Sequence, residues 1–231
     1  MLQSINKYKL YLYLFFFVSL SSIFNFKFLE NYQEKFLLKK IYINGLSYNE
    51  KNKVEIELKK FLNTNIFELS EDKVLAKLNK LNYLESIYVN KIIPTSINIS
   101  LSKTSILGKT LINGERFYIG KNGKFINFSQ ISEINNIATV FGEFQIDEYL
   151  KLVYTLEKHS LNINDIKKYY YYKNKRWDLQ FSNNLTLMLP SKNIDKSIII
   201  YKTLLKNDKL KNIKILDLRI TNQIIITKNN E

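Results

Sequence analysis

Side chains able to make or break covalent bonds are sparse in this chain. It has one histidine, His159, and no cysteine, so a disulfide framework or thiolate metal site has nothing to build on. No G-x-x-x-x-G-K-[ST], G-x-S-x-G or H-E-x-x-H run occurs, and the Asp and Glu residues are too scattered to set a general acid beside a general base. His159 falls at the end of an expected helix, where a cation suits the dipole. The expectation is no enzyme, no metal and no cofactor. Hydrogen-bonding chemistry is better provided for, at the carboxyl end. The two-residue period divides 213–220 into Lys214, Leu216, Leu218 and Ile220 on one face and Ile213, Ile215, Asp217 and Arg219 on the other. Asp217 and Arg219 can therefore pair, an interaction worth about 0–1 kcal/mol at a surface. Thr221 and Asn222 then turn the chain into Gln223-Ile224-Ile225-Ile226-Thr227. Three consecutive isoleucines place apolar side chains on both faces, so this strand wants cover above and below. Unless an earlier strand lies on its far side, a final strand with one hairpin neighbour also offers a free row of N–H and C=O groups. Lys228 is the only charge close by to blunt it.

Two folded units must position this end. In the first, 36–103, Lys40-Ile41-Tyr42-Ile43-Asn44-Gly45 alternates like a half-buried strand and stops at a turn glycine. Ser47 with Glu50 reads as a capping box opening a helix whose Val54, Leu58, Phe61 and Leu62 recur at helical spacing. Ser70, Glu71 and Asp72 open a second helix with a Val74, Leu75, Leu78, Leu81 stripe. Ser86 to Ile92 and then Ile97, Ile99 and Leu101 supply two closing strands. The order is strand, helix, helix, strand, strand. In the second unit, 104–228, Asn113-Gly114 and Asn122-Gly123 mark hairpin turns. A helix over about Gln145 to His159 carries Tyr149, Leu152, Val153 and Leu156 on one side. Strands follow at Ile166–Tyr172, Trp177–Phe181 and Leu185–Leu189, with Asn183-Asn184 turning between the last two. The aromatic run Tyr169 to Tyr172 reads as a strand with aromatic side chains on both faces rather than a base-stacking platform. A helix from Ile194 or Asp195 to Leu205 has Ile198, Ile199, Tyr201, Leu204 and Leu205 as its apolar surface. The class is α+β: a β-α-α-β-β unit, then a mostly antiparallel β domain with two or more helices.

Ahead of both units, Leu10 to Phe24 carries no charge. The apolar run reaches across 10–29, about 20 residues, enough at about 1.5 Å each to cross a bilayer core of about 30 Å. The expectation is a short cytoplasmic tail at 1–9, a single N-terminal transmembrane helix at 10–29, and the bulk of the chain outside, since a long downstream domain translocates largely regardless of charge. A cleaved secretory signal with Ser19 to Ser22 as its small residues is the alternative, making the chain a secreted or periplasmic binding protein. No alanine marks a cleavage site, and the run turns apolar again past the serines. Net charge is +14, from 35 Lys and Arg against 21 Asp and Glu. That would suit a basic nucleic-acid or lipid binder. Yet Lys, Asn and Ile abound everywhere and arginine stands only at Arg116, Arg176 and Arg219. The lysines read as a solvated face, and no nucleic-acid partner is expected.

The runs I-x-I-x-G-L at Ile41 to Leu46, N-x-F-x-L at Asn65 to Leu69 and V-x-K-I-I-P at Val89 to Pro94, in that element order, make the first unit resemble a POTRA domain. An outer-membrane barrel is excluded, because the remaining chain could not supply its strands. With Trp177-Asp178-Leu179 through Leu189-Pro190 and Leu216-Asp217-Leu218-Arg219, the whole is similar to the FtsQ/DivIB family of bacterial division proteins. Thr139-Val140-Phe141-Gly142 looks like the strand and glycine that precede a helix in that family. The resemblance implies a bitopic scaffold in the bacterial inner membrane at the division septum, its N-terminus cytoplasmic and its bulk periplasmic. It implies that residues 10–29 meet membrane lipid, that the POTRA unit meets an FtsK-like protein, and that the terminal strand receives a strand from an FtsB-like partner in a complex with an FtsL-like one. Carried over are Arg219, which would meet an acidic partner residue, Ile220, and the pairing edge Gln223, Ile224, Ile225, Ile226 and Thr227. Family members often have an aromatic residue after the arginine, where Ile220 stands here.

Overall fold

A computed structural model describes residues 7–21, 34–207, 212–220 and 222–228. Helix α1 (Lys7–Ser21) buries no residue, and every side chain from Leu10 to Val18 is more than half exposed. No helix among the described residues is long and apolar enough to cross a membrane. Residues 22–29 of the expected span lie outside the described residues.

The first unit takes the expected order. Strands β1 (Lys40–Asn44), β2 (Leu84–Ile92) and β3 (Ser96–Lys103) form a sheet in the order β1-β3-β2, with β1 parallel and β2 antiparallel to β3. Between β1 and β2 run helices α2 (Tyr48–Leu58) and α3 (Glu71–Leu78), whose Val54, Leu58, Val74 and Leu78 are fully buried with Ile97 and Ile99 of β3. The capping box forms: Glu50 accepts from the Ser47 amide at 3.1 Å and hydroxyl at 2.6 Å, and Lys103 Nζ reaches it at 3.0 Å. Burial pushes the Glu50 carboxyl up, but the hydrogen bonds from Ser47 and Lys103 outweigh it and hold it below the usual range. Gly45 has φ +89°, and a Cβ there would lie 1.8 Å from the Leu101 carbonyl oxygen, so only glycine fits where β1 passes β3.

The second unit is one nine-stranded sheet. Its strands are β4 (Ile106–Ile112), β5 (Glu115–Gly120), β6 (Phe125–Asn127), β7 (Thr139–Phe141), β8 (Ile166–Tyr171), β9 (Trp177–Phe181), β10 (Thr186–Met188), β11 (Ile213–Asp217) and β12 (Ile225–Lys228). They lie in the order β12-β11-β10-β9-β8-β7-β4-β5-β6. Antiparallel pairing prevails, but β4–β7, β7–β8 and β10–β11 are parallel. Parallel neighbours need a crossover, and helices α4 (Ile146–Lys158) and α5 (Ile194–Lys206) make the last two. His159, closing α4, joins Asp195 of α5 at 2.9 Å, so the lone histidine ties these helices together. Tyr149, Leu152, Val153 and Leu156 of α4 are buried as their spacing implied. On α5 the apolar surface differs from expectation. Ile198 and Tyr201 are buried, Ile199 and Leu205 are about half exposed, and Ile200 packs instead; Ile199 lies two positions, about 200° around the helix, from both buried Ser197 and Tyr201, while Ile200 lies about 100° from Tyr201.

The division at 103/104 separates strands without separating cores. Tyr118 of β5 and Ile126 of β6 are fully buried in the hydrophobic core of the first unit, and Phe128 stacks on Tyr118 at 3.9 Å. Asn82 Nδ2 donates to the Phe125 carbonyl at 2.8 Å, and Asn122 Nδ2 donates back to the carbonyls of Asn82 and Leu84 at 2.9 and 3.1 Å. Replacing Asn122 by Ala leaves those groups without their donor and should cost about 1–3 kcal/mol. Urea unfolding followed by fluorescence would read this as a lower midpoint; an unchanged midpoint would show that the joint contributes nothing.

Candidate partner-binding edge

The terminal strand sits where its backbone is accessible. β12 pairs antiparallel with β11, matching Ile215 to Thr227, Leu216 to Ile226 and Asp217 to Ile225, and it ends the sheet order, so its outer side has no neighbour among the described residues. The strand occupies Ile225–Lys228 rather than the expected Gln223–Thr227. Gln223 and Ile224 instead follow a turn, with the Gln223 amide bonding the Ile220 carbonyl at 3.2 Å and Asn222 at φ +64°. Thr221 lies outside the described residues. The isoleucines do not obtain the cover their pattern called for: Ile224, Ile225 and Ile226 are 46%, 48% and 44% exposed, and Ile220 is 53% exposed.

The facing of β11 also departs from strict alternation. Lys214 is an extra residue between the pairs Ile213–Lys228 and Ile215–Thr227, a β-bulge. The bulge shifts the phase by one, so Ile213, Leu216 and Leu218 all reach the core while Ile215 and Asp217 share the other face. Residues directly opposite share a face. Ile226, opposite Leu216, lies on the helix side, whereas Ile225 and Thr227 lie on the side of Asp217.

On that side the ion pair is bidentate. Arg219 donates Nε to Asp217 Oδ1 at 2.8 Å and Nη2 to Oδ2 at 2.6 Å, and its amide adds a third bond at 3.0 Å. The hydrogen bonds from the guanidinium hold the Asp217 carboxyl below its usual range. Sequence reasoning missed three neighbours. Asp178 of β9 is buried, with the register carrying Asp178 to Met188 and Met188 to Asp217. Arg176 stacks on Tyr172, its guanidinium carbon 4.2 Å from the ring centre. Burial pushes the Asp178 carboxyl up; a hydrogen bond from Tyr172 and the charges of Arg176 and Arg219 pull it back without cancelling the rise, and Asp217 adds to it. Asp178 Oδ1 and Arg176 Nε are buried without a partner among the described residues. Arg176 and Arg219 line one cleft of 340 Å³ with Asn174, Pro190, Ser191 and Ile220. The signal for Arg176 was present: in a chain that uses lysine nearly everywhere, two of its three arginines belong to this site.

Such a site combines an unpaired β edge, half-exposed isoleucines and a bidentate donor beside a second arginine. It can hydrogen-bond an extended peptide and a carboxylate at once. Among the described residues no cluster of His, Cys, Asp or Glu is arranged to hold a metal ion.

Comparison with known proteins gives the class first. Residues 36–103 match the family described as POTRA domain, FtsQ-type, so the first unit is a POTRA domain. Residues 111–219 match the family described as Cell division protein FtsQ/DivIB, C-terminal; that match stops at Arg219, before the terminal strand. The chain belongs to the FtsQ/DivIB family of cell division proteins. It is 29% identical over 199 residues to the cell division protein FtsQ of Rickettsia prowazekii (strain Madrid E), covering 84% of this chain and 73% of that one. The FtsQ of Rickettsia felis gives the same identity and coverage. The FtsQ of Rhizobium radiobacter is 22% identical over 165 residues, covering 71% of this chain and 79% of its own. A solved structure of the major extracytoplasmic domain of the division protein DivIB from Geobacillus stearothermophilus matches 47% of this chain and 97% of its own at 11% identity. Its TM-score is 0.33, too slight a likeness to carry argument.

Because folding lowers the Asp217 carboxyl, its pair with Arg219 contributes fully above the ordinary aspartate value of about 4 and is lost as pH falls through the lower folded value. In Arg219→Ala the Asp217 carboxyl should titrate at a higher pH than in the wild type, read by NMR of the side-chain carbon. An unmoved titration would mean that the guanidinium does not hold it.

Proposed function

We propose that the chain is a non-enzymatic, bitopic scaffold of the bacterial division machinery that gathers an FtsB-like protein, together with an FtsL-like one, by accepting a strand at β12. The observation that carries this reading is the position of β12 at the end of the sheet, paired on one side only among the described residues. A strand added there gains backbone hydrogen bonds for affinity, while its alternate side chains meet Ile226 on one face and Ile225 with the arginine cleft on the other. Arg219 already binds Asp217 through its fork, so an acidic partner residue would share Arg219 or meet Arg176 where both arginines line the cleft. Ile220 contributes apolar contact where relatives often carry an aromatic ring.

The remainder of the reading concerns place. Helix α1 exposes apolar side chains on all sides and buries none of its residues, as a segment solvated by lipid would. With the apolar residues that follow it, 10–29 anchors the chain in the inner membrane at the septum, leaving the tail cytoplasmic and the two units periplasmic. The POTRA domain is then free to meet an upstream, FtsK-like protein.

The Leu218 amide bonds the Met188 carbonyl, so Asp217 and its opposite Ile225 bond each other and Ile226 turns its amide outward. Ile226→Pro removes that outer donor and should abolish co-purification with the FtsB-like partner from detergent-solubilised membranes, while the chain stays in the membrane fraction. Charge reversal by Arg219→Glu or Arg176→Glu should weaken capture at least about tenfold. Undiminished capture by Ile226→Pro would sink strand addition.

A further inference from the structure

We infer that the end of the POTRA domain nearest the anchor is a seat on the bilayer surface, with Phe67 on one loop and Ile92–Ile93 on another entering the headgroup layer. This rests on the anchor reading above and goes beyond it. The segment that leads out of the anchor lies between those two loops. On one side, the Leu38 amide bonds the Thr64 carbonyl at 2.9 Å, the Asn63 amide bonds Leu38 at 2.9 Å, and the Ile66 amide bonds Phe36 at 2.8 Å. On the other, the amides of Lys39 and Lys40 both reach the Thr95 carbonyl, at 2.8 and 3.2 Å. The two loop tips therefore flank the point where the chain arrives, and both are apolar and uncovered. Phe67 is 58% exposed, its ring 5.1 Å from that of Phe36, and Ile92 and Ile93 are 48% and 58% exposed.

Charge at this end favours a membrane over a second protein surface of the same basic chain. Lys35, Lys39, Lys40 and Lys91 are exposed around the tips, against Glu34 and Glu68. Aromatic and aliphatic tips ringed by lysines are the composition that the bilayer interface accepts, and anionic headgroups add to it. Chain length then sets the distance. From Leu29 to Phe36 is seven residue steps, at most about 25 Å when extended, and a headgroup layer occupies about 5–8 Å of that. Such a tether keeps these tips beside the membrane, and burying them shortens it further.

The chain has no cysteine, so single labels report single positions. The full chain, labelled with a fluorophore at Glu68→Cys, is reconstituted in vesicles of phosphatidylcholine with a minority of phosphatidylglycerol and a nitroxide-bearing lipid as quencher. Phe16→Cys in α1 and Tyr154→Cys on α4, an exposed position in the other unit, are the references. The seat predicts that the label at 68 is quenched at least about twofold more than the label at 154, and that Phe67→Asp with Ile93→Asp returns it to the level of 154 while the label at 16 stays quenched. Equal quenching at 68 and 154 with position 16 quenched would overturn the seat and spare the anchor. Absence of quenching at 16 would overturn both.

Discussion

A β-sheet that does not close must end twice, and each end leaves a row of backbone donors and acceptors to be dealt with. The nine-stranded sheet treats its two ends oppositely. At one, β6 has only three residues; its Phe125 carbonyl takes the Asn82 side chain, and Ile126 is sunk in the POTRA core. At the other, β12 has β11 on one side and nothing described on the far side. The POTRA domain thus serves as the lid on the first edge, and this explains why the two units share a core instead of meeting through a linker. Among the described residues that leaves β12, which carries the isoleucines, as the open edge of this sheet.

The same sheet accounts for where its charges lie. Crossovers α4 and α5 cover one face, while on the other the register aligns Phe141, Tyr170, Asp178, Met188, Asp217 and Ile225 across six strands. Two carboxylates in such a row are costly to desolvate unless they are paired. Arginine answers this better than lysine, because a planar fork binds a carboxylate at two points and lies flat on an aromatic ring. Arg219 does the first with Asp217 and Arg176 the second with Tyr172. Asp178 keeps a buried oxygen unanswered.

Much of this was legible in the sequence, for local reasons. Capping at Ser47, the Asn-Gly turns, the four buried residues of α4 and the β-α-α-β-β order follow from short-range periodicity and turn chemistry, which tertiary packing did not override. Nonlocal features were not legible. The bulge at Lys214 depends on what β12 pairs with, so alternation read along β11 alone assigned Ile213 to the wrong face. The parallel neighbours arise from crossovers that no single strand announces. Tyr118 and Ile126 belong by sequence to the second unit, and nothing in a hairpin's spacing tells which domain will bury it. Arg176 could be found only by asking why arginine stood there at all.

The joint and the edge gain meaning from each other. A free strand that accepts a partner must offset the translational and ordering costs of that partner, and a scaffold lowers them by presenting its edge in a fixed place. If residues 10–29 anchor the chain as proposed, the path from membrane to edge runs through one tether, one POTRA domain and one unbroken sheet, and the Asn82–Asn122 exchange and shared core lock the joint between the two units. Under the proposed reading, the distance between bilayer and β12 is then set by folded structure instead of by linker entropy. On that reading a membrane-bound partner of matching height would meet the edge at high effective concentration, and modest backbone pairing over the four-residue strand would suffice for capture.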